Sequence, residues 1–225
     1  MADILCVIGN KGGTGKTTLS HMLAHGMTLL GLRSVCVLTD ECREPLDPKH
    51  RSYLIADARS REALLKVTQK IRSLKAWMGV IDGGGNRTEM DRRLYGVADL
   101  VLLPFRDSHE DIRTVIRDLE MFPQAYAIPS QWPIIPWQRE AAQRTLDEQL
   151  GHYRDRILAP VPALSFTKLL LQKDVPAELP QALDDACCAI TRQILELLKI
   201  DYAAQSITPP PALGRTQPAQ VAMAA

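Results

Sequence analysis

The chain has 225 residues, 46% of them apolar, with 27 Lys and Arg against 26 Asp and Glu for a net charge of +1. That length suits one α/β domain with at most a tail, and the apolar content gives room for a sizeable core. A near-neutral chain has no global attraction for nucleic acid or anionic lipid, so any polyanion surface must be local.

The five cysteines, Cys6, Cys36, Cys42, Cys187 and Cys188, show no framework spacing, and adjacent Cys187 and Cys188 are not a Cys-x-x-Cys pair. Reduced thiols and a cytoplasmic location are expected. The run Ile4–Ile8 is too short for a leader, and no apolar run approaches the ~20 residues of a membrane span.

Ile4-Leu5-Cys6-Val7-Ile8 reads as a buried strand. Gly9-Asn10-Lys11-Gly12-Gly13-Thr14-Gly15-Lys16-Thr17-Thr18 follows, and then an amphipathic helix with Leu19, Met22, Leu23, Gly26, Met27 and Leu30 inward and Gly31 as its stop. Strand, glycine-rich turn and helix around Gly-Lys-Thr make a phosphate-binding P-loop. Backbone N–H groups of such a turn, with the positive end of the new helix, bind anions. The binding set is Gly12, Gly13, Thr14, Gly15, Lys16, Thr17 and Thr18. Lys16 is placed to reach the β- and γ-phosphates and Thr17 to ligate Mg²⁺. His21 and His25 are four apart on the helix, but the Glu of a His-Glu-x-x-His zinc site is missing, so solvated or partly buried histidines are expected.

Ser34–Thr39 is a second apolar strand ending at Asp40. Its uninterrupted apolar character, like that of Ile4–Ile8, predicts a three-layer, mostly parallel twisted sheet with helices on both faces. Residues 41–52 read as a loop with Pro45 and Pro48, 53–56 as a short strand, and 61–76 as a helix. The basic residues Arg59, Arg61, Lys66, Lys70, Arg72 and Lys75 on or beside that helix are either a solvated face or a contact for a phosphate backbone. Trp77–Asp82, followed by Gly83-Gly84-Gly85, fits a Walker B strand, with Asp82 at the Mg²⁺ shell. A polar helix is expected over 88–96, a strand over 100–104, and a helix from Ser108 to Met121 with Ser108 as N-cap. Further on come a strand and proline-rich loop over 125–137, a helix over 140–153, a proline-broken strand over 157–164 and a closing helix over 184–198. These give a nucleotide-binding domain over 1–200 and a Pro/Ala-rich tail over 201–225, including Pro209-Pro210-Pro211, that is expected to be disordered.

Where the usual P-loop has its first glycine this chain has Asn10, and a lysine follows. Lys11-Gly12-Gly13-Thr14-Gly15-Lys16-Thr17 resembles the deviant P-loop of the ParA/MinD ATPases. Val80–Gly85, Ala98–Pro104 and Ser108–Ile112 look like the corresponding stretches of the small ParA-type partition ATPases. The resemblance spans about residues 3–199, with Pro162–Lys173 similar to the family's penultimate strand and loop. It implies ATP and Mg²⁺ as ligands and a homodimer closed across nucleotide, in which Lys11 reaches the partner copy's phosphates. It further implies catalytic roles for Lys11, Lys16 and Asp40, metal ligation by Thr17, Asp40 and Asp82, and slow, partner-stimulated hydrolysis. A ParB-like or cargo-adaptor protein and nonspecific DNA are the implied partners, and the implied location is the nucleoid.

The family usually has Asp-x-Asp-Pro-Gln after the second strand; here Asp40 matches the first aspartate and Cys42 replaces the second. A thiol does not orient water as a carboxylate does, which leaves a nucleotide-gated binding module with little hydrolysis as an alternative. A MinD-like membrane regulator is a further alternative, although the tail offers Pro and Ala with Arg215 as its only basic residue. No cysteine lies between Asp82 and Ala186, so the paired bridging cysteines of an electron-transfer ATPase of the nitrogenase-iron-protein kind are missing.

Overall fold

The computed structural model describes residues 2–41, 46, 50–84 and 88–202. Cys42, Pro45, Pro48, Gly85 and residues 203–225 of the expected tail lie outside them. Six strands, β1 (Asp3–Val7), β2 (Arg33–Leu38), β3 (Leu54–Asp57), β4 (Trp77–Asp82), β5 (Leu100–Phe105) and β6 (Tyr126–Pro129), form one sheet in the order β3-β2-β4-β1-β5-β6. Every pairing is parallel. Six α-helices connect and cover them: α1 (Lys16–Leu29), α2 (Arg61–Ser73), α3 (Thr88–Val97), α4 (His109–Met121), α5 (Pro136–Leu150) and α6 (Gln181–Leu197). The three-layer parallel α/β architecture expected from the sequence is observed.

Strand side chains alternate between two cores. Ile4, Cys6 and Ile8 join residues of α2, α3, α4 and α5 on one face, whereas Leu5 and Val7 join those of α1 and α6 on the other. Both faces are covered, which is why the strands read as unbroken apolar runs. One register row crosses the sheet at its carboxyl end: Asp57 opposite Leu38, Leu38 opposite Asp82, Asp82 opposite Val7 and Val7 opposite Leu102. The segments after β1, β2, β3 and β4 therefore leave from one level. Since α1 and α3 pack on opposite faces, a crevice opens beside the end of β1.

Several boundaries moved, each for a local reason. Residues 157–164 form no continuous strand: Ile157 bridges Ala127 and Pro162 bridges Trp132, with Leu158 N–H on Ala127 O (2.9 Å) and Val161 N–H on Pro129 O (2.8 Å). Pro160 and Pro162 have no N–H to continue the ladder. Helix α5 starts at Pro136, not at 140, because proline is pre-set for the first helical turn, and it ends at Leu150 in a 3-10 helix, Gly151–Arg156. A second 3-10 helix, Ser165–Leu171, was not anticipated. Helix α2 stops at Ser73, and Ala76 adopts a φ of 56° before β4. Helix α1 closes as expected at Gly31, whose φ of 83° allows Leu32 N–H to reach Met27 O (2.9 Å) in a Schellman turn.

His21 and His25 are not solvated. His21 is fully buried with Nδ1 2.6 Å from the Tyr53 hydroxyl, and His25 lies 2.8 Å from Ser52 Oγ and 2.9 Å from Asp184. They join α1 to the start of β3 and to α6. The α1–α6 crossing is tight at Gly26, where a Cβ would stand 2.2 Å from Thr191 Oγ1 and 2.4 Å from the Cys187 carbonyl. Gly26→Ala should therefore destabilise the protein by about 1–3 kcal/mol through overpacking. Chemical denaturation checks this, and an unchanged midpoint would show that the two helices separate freely.

Candidate functional site: a phosphate loop with a carboxylate shell

The loop leaves β1 at Val7 and enters α1 at Lys16. Gly13 and Gly15 have φ of 76° and 91°, a region that residues with a Cβ enter only at a cost. No side chain caps α1 at Gly15, so its first N–H groups face the crevice as an anion site. A cavity of about 390 Å³ lies there, lined by Gly12, Gly13, Gly15, Lys16, Thr17, Thr18, Asp40, Gly83, Gln131 and Leu171. A second, of about 290 Å³, shares Thr17, Asp40 and Leu171 with it and adds Asp82, Arg59, Leu38 and Leu46. The sheet thus brings together Thr17, Asp40 and Asp82. A hydroxyl and two carboxylates are the hard oxygen donors that suit Mg²⁺, whose chemistry when bound would be neutralisation of phosphate charge.

Thr14 is only 3% exposed and works through its backbone: its carbonyl accepts Ser130 Oγ at 2.6 Å, which ties the loop to the end of β6. Lys16 Nζ donates to the Lys11 carbonyl at 2.6 Å, which holds the ammonium against the loop. Lys11 lines neither cavity. Its ammonium lies 2.5 Å from Glu110 Oε2 and 3.5 Å from Asp111 Oδ1 on α4. The Lys11 hydrogen bond holds the Glu110 carboxyl below its usual range, and Glu110 in turn raises the Lys11 ammonium. Burial pushes Asp111 upward, but hydrogen bonds from Arg106 and Ser108 outweigh it and leave Asp111 low.

Beneath the loop lies a buried polar layer that no sequence motif announced. Asp118 accepts Asn10 N–H at 3.1 Å and Asn10 Nδ2 at 2.6 Å, while Thr88 Oγ1 donates to Asn10 Oδ1 at 2.7 Å. Asn10, at the P-loop's missing glycine, is thus pinned between α3 and α4. Asp91 of α3 is fully buried, and its carboxyl is pushed up to about 6. Burial is the main cause, partly offset by the Lys16 charge and the Gly9 N–H, neither of which closes an aligned hydrogen bond on it.

A cavity of about 380 Å³ adjoins the loop on its other side, between Gly15, Thr18, Leu19 and Met22 and the segment from Val161 to Lys168. Gln131, at a φ of 52°, lines both this cavity and the phosphate cavity. A further cavity, about 430 Å³ among His25, Arg51, Tyr53, Leu170 and Asp184, contains no loop residue. The chemistry favours the smaller pair. Several basic residues of α2 and of the later segments fall into two groups. Arg72 is structural, on the carbonyls of Ala2 (2.9 Å) and Val97 (2.8 Å) and on Asp99, and Arg156 holds the carbonyls of Leu119, Phe122 and Pro123 at the end of α4. Arg61, Lys66, Lys70, Lys75, Arg139, Arg144, Lys168 and Lys173 are exposed or half-buried.

An acid whose folded pKa lies near 6, above its ordinary 3.8, binds more protons folded than unfolded between those values. Its burial therefore withdraws stability as pH rises through that window. Asp91→Asn should stabilise the protein at pH 7.5 by on the order of 1–3 kcal/mol, and the gain should fade toward pH 4. Urea melts of both proteins across pH 4–8 measure it; a pH-independent difference would mean that Asp91 stays ionised.

No protein-family model and no curated protein sequence matches the chain. Solved structures do. An ATP complex of a McdA variant from Cyanothece is 17% identical, with 89% of this chain and 97% of that one covered and a TM-score of 0.59. MinD of Pyrococcus horikoshii OT3 complexed with Mg-ADP is 15% identical over 89% and 98%, at 0.61. The pNOB8 ParA bound to nonspecific DNA is 11% identical over 89% and 100%, at 0.59. Likeness at this level of identity, on top of the parallel sheet and the loop after β1, gives the chain the fold of the ParA/MinD P-loop ATPases.

Proposed function

We propose that the protein is a ParA-like ATPase that positions or segregates an intracellular cargo such as a plasmid. Binding of ATP and Mg²⁺ closes a homodimer, the dimer holds nonspecific DNA, and a ParB-like or cargo-adaptor partner stimulates hydrolysis and release. The observation that carries this reading is the convergence of the P-loop, Thr17, Asp40 and Asp82 on adjoining cavities at one sheet edge. The solved relatives lend support through their ligands: McdA with ATP, MinD with Mg-ADP and ParA with nonspecific DNA.

Each residue has a defined task. The loop N–H groups and Lys16 bind the phosphates, and Thr17, Asp40 and Asp82 hold Mg²⁺, which offsets the phosphate charge. Asp82 is kept in place by its strand, whose carbonyl accepts Thr39 Oγ1 at 2.7 Å. Lys11 waits on Glu110 in the free chain and moves to the second copy's phosphates, exchanging one anionic partner for another. Ile134, Ile135 and Trp137, shortly after Gln131 in the chain, are 61%, 45% and 68% exposed, apolar surface that a second copy would shield. The exposed basic side chains of α2, with Arg139, Arg144, Lys168 and Lys173, are the candidate contacts for DNA. No helix among the described residues is long and apolar enough to cross a membrane. Cys42, which lies outside the described residues, motivates the second reading, a nucleotide-gated binding module with little turnover; Cys42→Asp raising the ATPase rate would favour it.

Lys11→Ala should leave ATP binding by the monomer intact and abolish ATP-induced dimerisation, as read by light scattering on a sizing column. DNA retention should require ATP and fall at least about tenfold between 50 and 200 mM salt, as release of several counterions demands. DNA binding that ignores ATP, or none at all, would sink the partition role.

A further inference from the structure

We infer that Arg59 contacts the terminal phosphate of the bound nucleotide, supplying from within the same chain a guanidinium opposite the P-loop. This deepens the ATPase reading above and rests on it. The sequence grouped Arg59 with the basic residues near α2, as a solvated charge or a DNA contact. Its surroundings are different. The register row places Asp57, Leu38, Asp82 and Val7 at one level across β3, β2, β4 and β1. Two residues beyond three of those positions come Arg59, Asp40 and Gly9, the last opening the phosphate loop. Adjacent strand ends thus deliver Arg59 to the edge that delivers the carboxylates and the loop. Arg59 then lines one cavity with Thr17, Asp40 and Asp82.

The backbone beneath it is fixed. Ala58 N–H donates to Leu38 O at 2.9 Å, Arg59 N–H to Asp57 Oδ1 at 3.3 Å, and Ser60 caps α2 by accepting Ala63 N–H at 3.1 Å. The side chain is only 23% exposed. Its Nε lies 3.3 Å from Asp57 Oδ2, an ion-pair contact without hydrogen-bond alignment, and both Nε and Nη2 are buried with no hydrogen-bond partner. An arginine kept only for a surface ion pair has no reason to bury donors unmatched, because a desolvated donor without an acceptor is destabilising. Such a group calls for an anionic acceptor that arrives later.

The rest of the cavity says which acceptor. Leu38, Leu46 and Leu171 keep the local dielectric low, so a charge brought there is felt strongly. Asp40 and Asp82 are committed to the metal under the reading above, and Asp57 meets Nε without alignment, which leaves phosphate oxygen as the acceptor for the unmatched donors. Thr17 and Asp40 border both this cavity and the phosphate cavity. A nucleotide whose inner phosphates lie on the loop extends its terminal phosphate past Thr17 toward Arg59. Lys16 then neutralises it from one side and Arg59 from the other. The planar fork of arginine suits this position, since it grips two phosphate oxygens and keeps its charge at every accessible pH.

Calorimetric titration with Mg-ADP and with Mg-AMPPNP, beside steady-state turnover, separates this role from a structural one. Arg59→Ala should keep the wild-type affinity for ADP, weaken AMPPNP about tenfold or more, and lower turnover by on the order of 10³-fold or more, as loss of an arginine at a transferring phosphoryl group does. Arg59→Lys should restore less than about a tenth of the lost turnover, because a point charge does not replace the fork. Equal weakening of ADP and AMPPNP would overturn the inference and make Arg59 a residue that shapes the pocket. Wild-type affinities and turnover in Arg59→Ala would make it a bystander. Wild-type protein that binds neither nucleotide would bring down the ATPase reading and this inference with it, a result distinct from the other two.

Discussion

The parallel register of the four strands β3, β2, β4 and β1 is the constraint on which the site depends. Parallel strands all end at the same edge, and the shared row through Asp57, Leu38, Asp82 and Val7 ends them at the same level. Residues far apart in sequence then emerge beside one another: Asp40 after β2, Arg59 after β3, Asp82 at the end of β4, and the loop after β1. Asp40, Arg59 and Asp82 come together only through the sheet. Slipping one strand by one residue would turn its buried set to the wrong face, so the apolar packing that fixes the register fixes the site as well.

A second layer of organisation works through charge. The loop has two lysines with opposite commitments: Lys16 turns inward onto the Lys11 carbonyl, and Lys11 turns outward onto α4. Helix α4 holds the loop twice, by Asp118 on Asn10 and by Glu110 and Asp111 on Lys11. Asp91 and Asp118 lie buried below, and burial raises both carboxyls, an effect offset in part by the Lys16 charge at Asp91 and chiefly by the Asn10 hydrogen bonds at Asp118. The elements that carry any partner-facing surface on that side of the sheet are coupled to the loop by direct hydrogen bonds.

Much of this was legible in the sequence because much of it is local. The glycines that permit the loop's backbone, the unbroken apolar runs of a doubly covered sheet, Ser108 as the cap of α4 and Gly31 as the stop of α1 are dictated by neighbours in the chain. Where local rules competed, the reading slipped. Prolines turned an expected strand at 157–164 into two isolated bridges, and Pro136 started α5 earlier than its polar pattern indicated. The depth at which His21 and His25 lie escaped the helical pattern because half their surroundings come from Tyr53 and Asp184, distant in the chain.

What the sequence by itself determined was the loop: its glycines, lysines and hydroxyls are consecutive, and their geometry follows from backbone sterics and the start of one helix. It also determined the fold class, since periodicity and strand length are properties of short segments. The tertiary structure alone decided which distant groups complete the loop. Asp118 under Asn10, Ser130 on Thr14 and Arg59 beside Asp82 are separated from their partners by 23 to 116 positions in the chain. Arg59 and Arg72 illustrate the division, because both read as the same exposed basic residue, yet Arg72 packs on the carbonyls of Ala2 and Val97 and Arg59 enters the cavity that Asp40 and Asp82 line. Composition and spacing are the same for a charge in water and a charge in a crevice; only the packing of strands and helices around it sets which one it is.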